Sequence, residues 1–424
     1  MHLTTSYTAA IFTPDSPAAW WRLLIVLAIA TVGSVGAWSV VIVLPTVQAS
    51  LGVTRGAISI AYTLAMIGFG LGGVITGRLT DRLGIIPAVG MGMLLLVLGY
   101  FAAGISTTLW QFAMAYFVVG LGSSSTFAPL MAEASHWFVQ RRGIAVGIAG
   151  SGFYLSGVLW PPLIARSIAR DGWQMTHIGL GIFCGVAMTL LILILRANLG
   201  NAQRRSLSLE RRPSVNVNLS PNVLTVILSI ASFTCCTAMA VPQVHIVAYC
   251  GDLGYGVARG VQMLSLMLAL GVASRIGSGF IADRIGGLAT LLIGSVAQAT
   301  GLAMYMFFNG LTFLYIVSAL FGLFQGGIVS SYAIIIRETM PAREAATRVG
   351  TVIMVSLLGM SFGGWIAGVI FDKTGSYRLA FLNGLAWNAV NIAIMLTLLL
   401  RAKRSDQIFV AESIGGVAVT NRAD

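Results

Sequence analysis

The sequence predicts an all-α integral membrane protein, with twelve transmembrane helices arranged as two pseudo-symmetric six-helix bundles. Three observations carry this prediction. Of the 424 residues, 57% are hydrophobic and only 9% are charged, whereas a soluble domain has about 25% charged residues. The apolar residues fall into twelve runs, each close to the roughly 20 residues that cross a bilayer. A charged, glycine-containing motif occurs twice, six runs apart.

Short hydrophilic segments separate the twelve runs, and each run is interpreted as one membrane span. The runs cover residues 21–44, 57–77, 86–104, 109–132, 143–166, 176–196, 222–249, 258–281, 287–307, 311–336, 347–371 and 378–400. The longest hydrophilic segment separates the first six spans from the last six. We therefore expect a cytoplasmic tail (1–20), a first bundle (21–196), a cytoplasmic central loop (197–221), a second bundle (222–400) and a second cytoplasmic tail (401–424).

The basic residues predict the orientation of the spans. The formal charge of +12 could indicate a nucleic-acid partner, but the basic residues lie in the gaps between apolar runs and form no single patch. With a cytoplasmic N-terminus, 18 of the 25 Lys and Arg residues fall on the cytoplasmic side, six fall outside, and Arg275 lies within a span. Cytoplasmic loops carry such an excess. This pattern predicts a multi-pass protein of the plasma (inner) membrane with both termini cytoplasmic and no nucleic-acid partner.

The repeated motif is Gly-x-x-x-Asp-Arg-x-Gly, at the cytoplasmic end of the second span of each half. Its members are Gly77, Asp81, Arg82 and Gly84 in the first copy, and Gly279, Asp283, Arg284 and Gly286 in the second. The first glycine allows close helix approach and the last allows a tight turn, while Asp and Arg can pair across the cytoplasmic surface. One interpretation is a solvated turn that ends a helix. Two copies at equivalent places favour a latch between two matched halves, an arrangement found in one class of transporter.

Arg275 is the main candidate for a binding residue, because it lies in the middle of an apolar stretch, Leu266–Gly286. An arginine there costs roughly 2.5–3.5 kcal/mol on insertion scales, so it should face protein or a water-filled cavity. No acid lies one turn away on the same helix, where Gly271, Ser278 and Gly279 stand. Its planar set of donors matches a carboxylate. We therefore expect an organic anion as substrate, with a structural arginine bonded to other helices as the alternative.

Other polar residues in the spans are weaker candidates. Those predicted to line the substrate cavity with Arg275 are Tyr116, Tyr154, Tyr332 and Asn388. His245 is a candidate proton carrier. It follows Pro242, which is expected to break the seventh helix. A histidine bonded only to backbone or water is the alternative. Glu133 is expected to form a cytoplasmic charge network with Arg141 and Arg142.

The repeated motif and the twelve-span layout resemble the major facilitator superfamily across nearly the whole chain. A narrower resemblance begins at Trp137-Phe138 and continues through the basic pair Arg141-Arg142 and the small-residue pattern up to Gly152. This stretch is similar to the monocarboxylate transporters, a group that includes bacterial lactate transporters and oxalate/formate exchangers. The segment Asp372-Lys-Thr-Gly-Ser-Tyr377, followed by Phe381, resembles the last outer turn of that family.

The chain also departs from that family at residues that carry protons there. The first-span segment Ser34-Val-Gly-Ala-Trp38 lacks the family's acid, and no lysine precedes Lys373. Arg275 matches the family's eighth-span arginine, but Gly271 stands where the animal members have an Asp. The residues 347–371 lack the eleventh-span lysine of oxalate exchangers. The resemblance therefore implies one carboxylate per substrate, and leaves the proton carrier unassigned.

These observations predict a secondary transporter of a monocarboxylate, which works by rocker-switch alternating access around a midplane cavity. A proton is the expected co-substrate, and the protein is expected to be a monomer in the lipid bilayer. No ATP-binding GxxxxGK[ST] motif, cofactor motif or metal-ligand spacing occurs, and the spans show no nucleophile–base pair, so an enzyme is not expected. The alternatives are a drug or toxic-compound exporter, a dicarboxylate or anion exchanger, and a transporter-like receptor.

Overall fold

The computed structural model describes residues 15–138, 142–197 and 217–420, and these residues are almost entirely helical. The helices in chain order are α1 (Pro17–Gly33), α2 (Val35–Leu51), α3 (Arg55–Leu83), α4 (Ile85–Gly104), α5 (Leu109–Ser123), α6 (Ala128–Trp137), α7 (Arg142–Ala197), α8 (Pro221–Asp252), α9 (Val257–Ile285), α10 (Gly287–Phe307), α11 (Leu311–Gln325), α12 (Ile328–Thr339), α13 (Ala342–Thr374) and α14 (Tyr377–Thr420). The helix α14 continues beyond the predicted span end at residue 400.

Within the described ranges, eleven segments are long and apolar enough to cross a membrane. One of them, Ile144–Arg196, has 53 residues, which is enough for two crossings at 1.5 Å per residue. The chain turns inside this segment at Gly172, where φ is 78°. The architecture therefore agrees with the predicted twelve crossings, and the fold class is all-α integral membrane.

Three of the crossings are interrupted near their middle. The first changes direction at Ser34, between α1 and α2. The fourth contains a short 3₁₀ turn, Ser124–Thr126, followed by Phe127 with φ −115° and ψ −86°. The tenth is interrupted at Gly326 and Gly327, between α11 and α12. Irregular backbone at this depth is tolerated where it is buried in protein or lines a cavity.

The expected break at Pro242 is wrong, because α8 runs without interruption from Pro221 to Asp252. A proline removes one helical hydrogen bond, but packing against neighbouring helices can hold a transmembrane helix together. Residues Cys235 to Ala248 of α8 are all buried. The surrounding helices therefore keep α8 continuous through the proline.

The two halves use the same device to bring helices together. A Cβ at Gly120 on α5 would overlap the carbonyl oxygen of Ala65 on α3, and a Cβ at Gly322 on α11 would overlap that of Met267 on α9. Only glycine permits such close backbone contact. The pairs α3–α5 and α9–α11 are equivalent crossings of the two halves, so the duplication extends from the sequence motif to the packing.

Candidate functional site

The two bundles are in contact at one end of the molecule, and two motif glycines at the other end have no close neighbour. We call the end that carries Arg55 and Asp372 the clasp end, and the opposite end, which carries Gly84 and Gly286, the motif end. At the clasp end, a Cβ at Gly56 of the first bundle would lie 2.8 Å from an Asp372 oxygen of the second bundle. At the motif end, a Cβ at Gly77 or Gly279 would meet no described atom within 4 Å. The bundles are therefore in contact at the clasp end, whereas the two motif glycines at the other end have no described neighbour.

Arg275 lies between the bundles, where α9 packs against α7. Its Cζ is 5.3 Å from the ring centroid of Tyr154 and 6.0 Å from that of Phe127, both in the first bundle. A Cβ at Gly150 would lie 4.0 Å from the same Cζ atom. The side chain is half-buried. Two aromatic rings and a glycine of the opposite bundle therefore surround the guanidinium.

The donors of Arg275 make no hydrogen bond or ion pair with any residue that the structure describes. Three other arginines in the helices have partners. Arg22 binds Glu133, with 2.6 Å between the charged atoms, and Arg55 binds Asp252, with 3.0 Å. Arg348 donates to the carbonyl of Pro221 and to Thr225. Arg275 therefore combines a central position with unused donors, as expected for an anion-binding residue.

Aromatic side chains of the first bundle continue outward from Arg275. Phe153 lies 6.0 Å from Tyr154 and 5.5 Å from Phe127, measured between ring centroids. Phe69 and Trp38 pack behind them, at 6.0 Å and 5.2 Å from Phe153. The indole of Trp38 also donates to the carbonyl of Phe153, at 2.9 Å. We call Trp38, Phe69, Phe127, Phe153 and Tyr154 the aromatic wall.

Of the four predicted lining residues, the structure brings only Tyr154 into contact with Arg275. The Tyr116 hydroxyl bonds His177 at 2.8 Å inside the first bundle. The Tyr332 hydroxyl donates to Asn391 at 3.0 Å, inside the second bundle. Asn388 donates to the carbonyl of Ser295, at 2.8 Å. These three side chains are buried, and their polar atoms join helices within one bundle, so their contacts do not place them at the substrate cavity.

Gln243 and Gln325 form a buried polar pair between two helices of the second bundle. The amide of Gln243 on α8 donates to Gln325 on α11 at 3.0 Å, and both side chains are buried. The Oε1 atom of Gln243 and the Nε2 atom of Gln325 have no partner among the described residues. Gln325 precedes Gly326, where a Cβ would overlap the carbonyl oxygen of Gly271 on the helix of Arg275. The two amides lie on different helices, so they can pair only when α8 and α11 pack together.

At the clasp end, a polar network joins the bundles, and we call it the clasp. Arg55 on α3 donates to Asp252 at 3.0 Å and to the Tyr377 hydroxyl at 2.7 Å. Asp372 on α13 accepts hydrogen bonds from the backbone amides of Arg55 and Gly56, at 2.8 Å and 2.6 Å. The N-terminus of α3 is thus capped by a carboxylate from the opposite bundle. The clasp therefore joins the two bundles at this end.

His245 belongs to the clasp. Its Nδ1 lies 3.1 Å from the Tyr377 hydroxyl, and its Nε2 lies 2.7 Å from the carbonyl oxygen of Gly364. At 1.5 Å per residue, His245 lies about 10 Å along α8 from its end at Asp252, whereas Arg275 lies about 27 Å along α9 from its start. The two side chains are therefore at different depths, and His245 reaches Arg55 through Tyr377.

Glu133, which is predicted to belong to a cytoplasmic charge network, has a partner that the prediction did not include. Glu133 binds the buried Arg22, whose guanidinium also lies 4.3 Å from the Trp137 ring centroid. Arg141 and the side chain of Arg142 lie outside the described residues, so their part of the network stays a prediction. Sequence reasoning missed Arg22, because it precedes Glu133 by 111 positions and no local pattern connects them.

The first and last glycines of the repeated motif have different surroundings. Gly84 and Gly286 end α3 and α9 with φ of 89° and 81°, the backbone region that favours glycine, as the predicted tight turn requires. A Cβ at Gly77 or Gly279 would meet no described atom within 4 Å, so the expected close approach is absent from the described structure. Arg82 and Arg284 are exposed, and the side chains of Asp81 and Asp283 lie outside the described part. The latch therefore stays a prediction.

Two six-helix bundles with equivalent helix packing, and an arginine placed between them, are typical of a membrane transporter of the alternating-access class. The family's model, Major Facilitator Superfamily, matches residues 23–312. The chain therefore belongs to the Major Facilitator Superfamily, and it is a transporter and not an enzyme.

Several relatives are similar to this chain over most of their length. It is 28% identical to the MFS-type transporter opdF of Penicillium oxalicum, over 71% of this chain and 70% of the relative. It is 27% identical to Agnestins efflux protein AgnL12 of Paecilomyces divaricatus, over 76% and 73%. It is also 27% identical to Monocarboxylate transporter 13 of Bos taurus, over 77% and 76%. The relatives thus include both monocarboxylate and efflux transporters.

Solved structures share the fold at low sequence identity. A bacterial homolog of the human lysosomal transporter Spinster, in an inward-facing and occupied conformation, matches with a TM-score of 0.65 and 15% identity, over 92% of this chain and 96% of that chain. The nucleoside transporter NupG matches with a TM-score of 0.69 and 13% identity, over 90% and 99%. These likenesses establish the fold alone.

Proposed function

We propose that this protein is a secondary active transporter of a monocarboxylate, coupled to protons. Arg275 is the observation that carries the proposal. It is a half-buried cation between the bundles, and its donors are free of partners in the described structure. A carboxylate fits the planar guanidinium with two parallel hydrogen bonds. The similarity to Monocarboxylate transporter 13 supports the same substrate class.

The charge bias of the sequence supports an orientation for the transport cycle. If the side richer in Lys and Arg is cytoplasmic, the motif end faces the cytoplasm and the clasp faces outward. The structure then represents an inward-facing state. A rocking motion would release the clasp, close the motif end and expose Arg275 to the outside.

Proton coupling is proposed from the chemistry of the cargo. A proton carried with the anion would cancel its charge during translocation. His245 is the candidate carrier, because its ring meets the Tyr377 hydroxyl, which also accepts a hydrogen bond from Arg55. A protonated His245 would place a second positive charge near Arg55 and weaken the clasp. Proton binding would thereby favour opening toward the outside.

Export of organic acids is a second candidate function. The similarity to Agnestins efflux protein AgnL12 favours it. The same carboxylate site and the same alternating access would serve either direction, so only the driving force and the sidedness of binding differ. Vesicles loaded with labelled acid would separate the two, because an exporter releases the acid faster when protons are supplied from the opposite side.

The proposal is tested with purified protein in liposomes, given labelled lactate, pyruvate, acetate and aromatic acids with and without an inward proton gradient. Arg275→Ala and Arg275→Lys should each lower uptake by about tenfold or more, because the two-donor contact with the carboxylate is lost. Arg259→Ala is the matched control, since Arg259 is exposed near the start of the same helix. Wild-type uptake in both Arg275 variants would refute the carboxylate site, and uptake indifferent to the gradient would refute the coupling.

A further inference from the structure

We infer that the preferred substrate is an aromatic monocarboxylate, whose carboxylate binds Arg275 and whose ring rests on the aromatic wall at Phe127 and Phe153. This inference rests on the proposed function and adds the substrate's chemical class. It is drawn from three features of the site: the position of the rings, their unequal exposure, and the lack of a second charged group among the polar side chains named below.

The rings are placed where the body of a bound acid would lie. Phe127 is 6.0 Å from the Cζ atom of Arg275, and Phe153 is 5.5 Å from Phe127, both as ring-centroid distances. The interruption of the fourth crossing positions Phe127, since α5 ends before it and α6 begins after it. The body of an acid whose carboxylate binds Arg275 would therefore lie beside two phenyl rings of the opposite bundle.

The wall has a buried back and a partly open front. Trp38, Phe69 and Tyr154 are 4%, 6% and 6% exposed, whereas Phe127 and Phe153 are half-buried. The buried rings support the two open ones through tilted and edge contacts, which is a favoured geometry between aromatic groups. The open front offers a substrate ring the same kind of contact.

The polar groups of the site offer no second cation for a second carboxylate. The hydroxyls of Thr126, Ser151 and Ser278 each donate to a backbone carbonyl of their own helical turn. The unpartnered amide atoms of Gln243 and Gln325 carry no charge. A second carboxylate left without a counter-ion in such a site costs free energy. The site therefore favours one carboxylate on an apolar, ring-bearing body over a dicarboxylate.

The test compares propionate with 3-phenylpropionate, which carry the same carboxylate and differ by one phenyl group. Binding of each acid to the purified full-length protein is measured by calorimetry. The wild type should bind 3-phenylpropionate at least about tenfold more tightly, because a buried phenyl group removes apolar area from water. Phe127→Ala and Phe153→Ala should each reduce that preference severalfold, because each variant removes a ring on which the phenyl group of the acid would rest.

Phe308 provides a matched control. Its ring stacks on that of Phe313, with 5.0 Å between the centroids, and it is not part of the aromatic wall. Phe308→Ala should leave the preference unchanged. If a wall variant does not fold, Phe127→Leu and Phe153→Leu replace it, since they keep an apolar side chain and remove the ring. A reduced preference in the leucine variants supports the inference in the same way.

Two outcomes overturn the inference and are distinguishable from failure of the proposed function. Equal affinity for the two acids, or an unchanged preference in both wall variants, refutes the aromatic class. In that case loss of both acids in Arg275→Ala still supports a monocarboxylate transporter. If the wild type binds neither acid, or Arg275→Ala binds both as well as wild type, the proposed function fails and the inference fails with it.

Discussion

At the scale of single residues, Arg22 and Arg275 show how surroundings give one side chain two uses. Both lie on membrane-crossing helices. Arg22 is 1% exposed and bound to a carboxylate, while Arg275 is half-buried and faces aromatic rings. A buried charge with a protein counter-ion is structural, since its donors are occupied. A charge whose donors are free is available to a ligand.

Removing the counter-ion of Arg22 should destabilise the protein. Glu133→Ala leaves a buried guanidinium without its carboxylate, which typically costs about 3–5 kcal/mol. We expect a lower thermal midpoint for the purified protein, measured by differential scanning fluorimetry in detergent. Asp171→Ala is the control, because the Asp171–Arg170 pair is solvent-exposed and exposed pairs contribute little. A Glu133→Ala midpoint equal to that of the control would show that the pair is dispensable.

The sequence predicts the role of Arg275 but not that of Arg22, and the reason is physical. The absence of an acid around Arg275 can be seen one helical turn away in the sequence, because helical neighbours are three and four positions apart. The Glu133 partner of Arg22 comes from another crossing, and the same holds for the partners of Tyr116 and Asn388. Contacts between crossings depend on tertiary packing, which local patterns do not contain.

At the scale of helices, the clasp is a helix cap that works across the two bundles. The first amides of a helix have no partner within it. In α3, Thr54 accepts from Ala57, and Asp372 on α13 takes the amides of Arg55 and Gly56. When the bundles part at this end, α3 must lose that cap. The strength of one cap therefore contributes to the balance between the two states.

Weakening the cap should shift this balance. Asp372→Asn keeps the size of the side chain but removes its charge, and a cap is worth about 1 kcal/mol, so we expect the clasp-open population to rise about fivefold. Spin labels on Cys introduced at Val53 and Lys373, one on each bundle, would report the distance between the bundles at the clasp end. Asp171→Asn is the charge-matched control. An unchanged distance distribution in Asp372→Asn would mean that the cap does not hold the clasp.

At the scale of the whole molecule, the sequence predicts the transporter fold better than the conformation that the two bundles adopt. Twelve apolar runs and a duplicated motif follow from composition and spacing, so the two-bundle transporter fold could be predicted. Which end is closed could not. The clasp joins Arg55 to Asp252 and Asp372, which follow it by 197 and 317 positions and meet it only through tertiary packing.

The free space beside Gly77 and Gly279 makes the predicted latch testable by substitution. A Cβ at Gly77 or Gly279 has free space in this state, so a larger side chain should be accepted here. If these glycines approach the opposite bundle when the clasp opens, Gly77→Leu and Gly279→Leu should block that motion, because an overpacked contact typically costs about 1–3 kcal/mol. We expect transport to fall at least about fivefold, while thermal stability and binding of the acid are retained. The Val53–Lys373 label distance should stay at its short value.

Gly179→Leu is the control for these two variants and should transport normally. Gly179 is exposed, and no described atom lies within 4 Å of a Cβ placed there. Normal transport in both motif variants would show that these glycines need no close approach in any state, and the motif would then serve only as a turn that ends each helix.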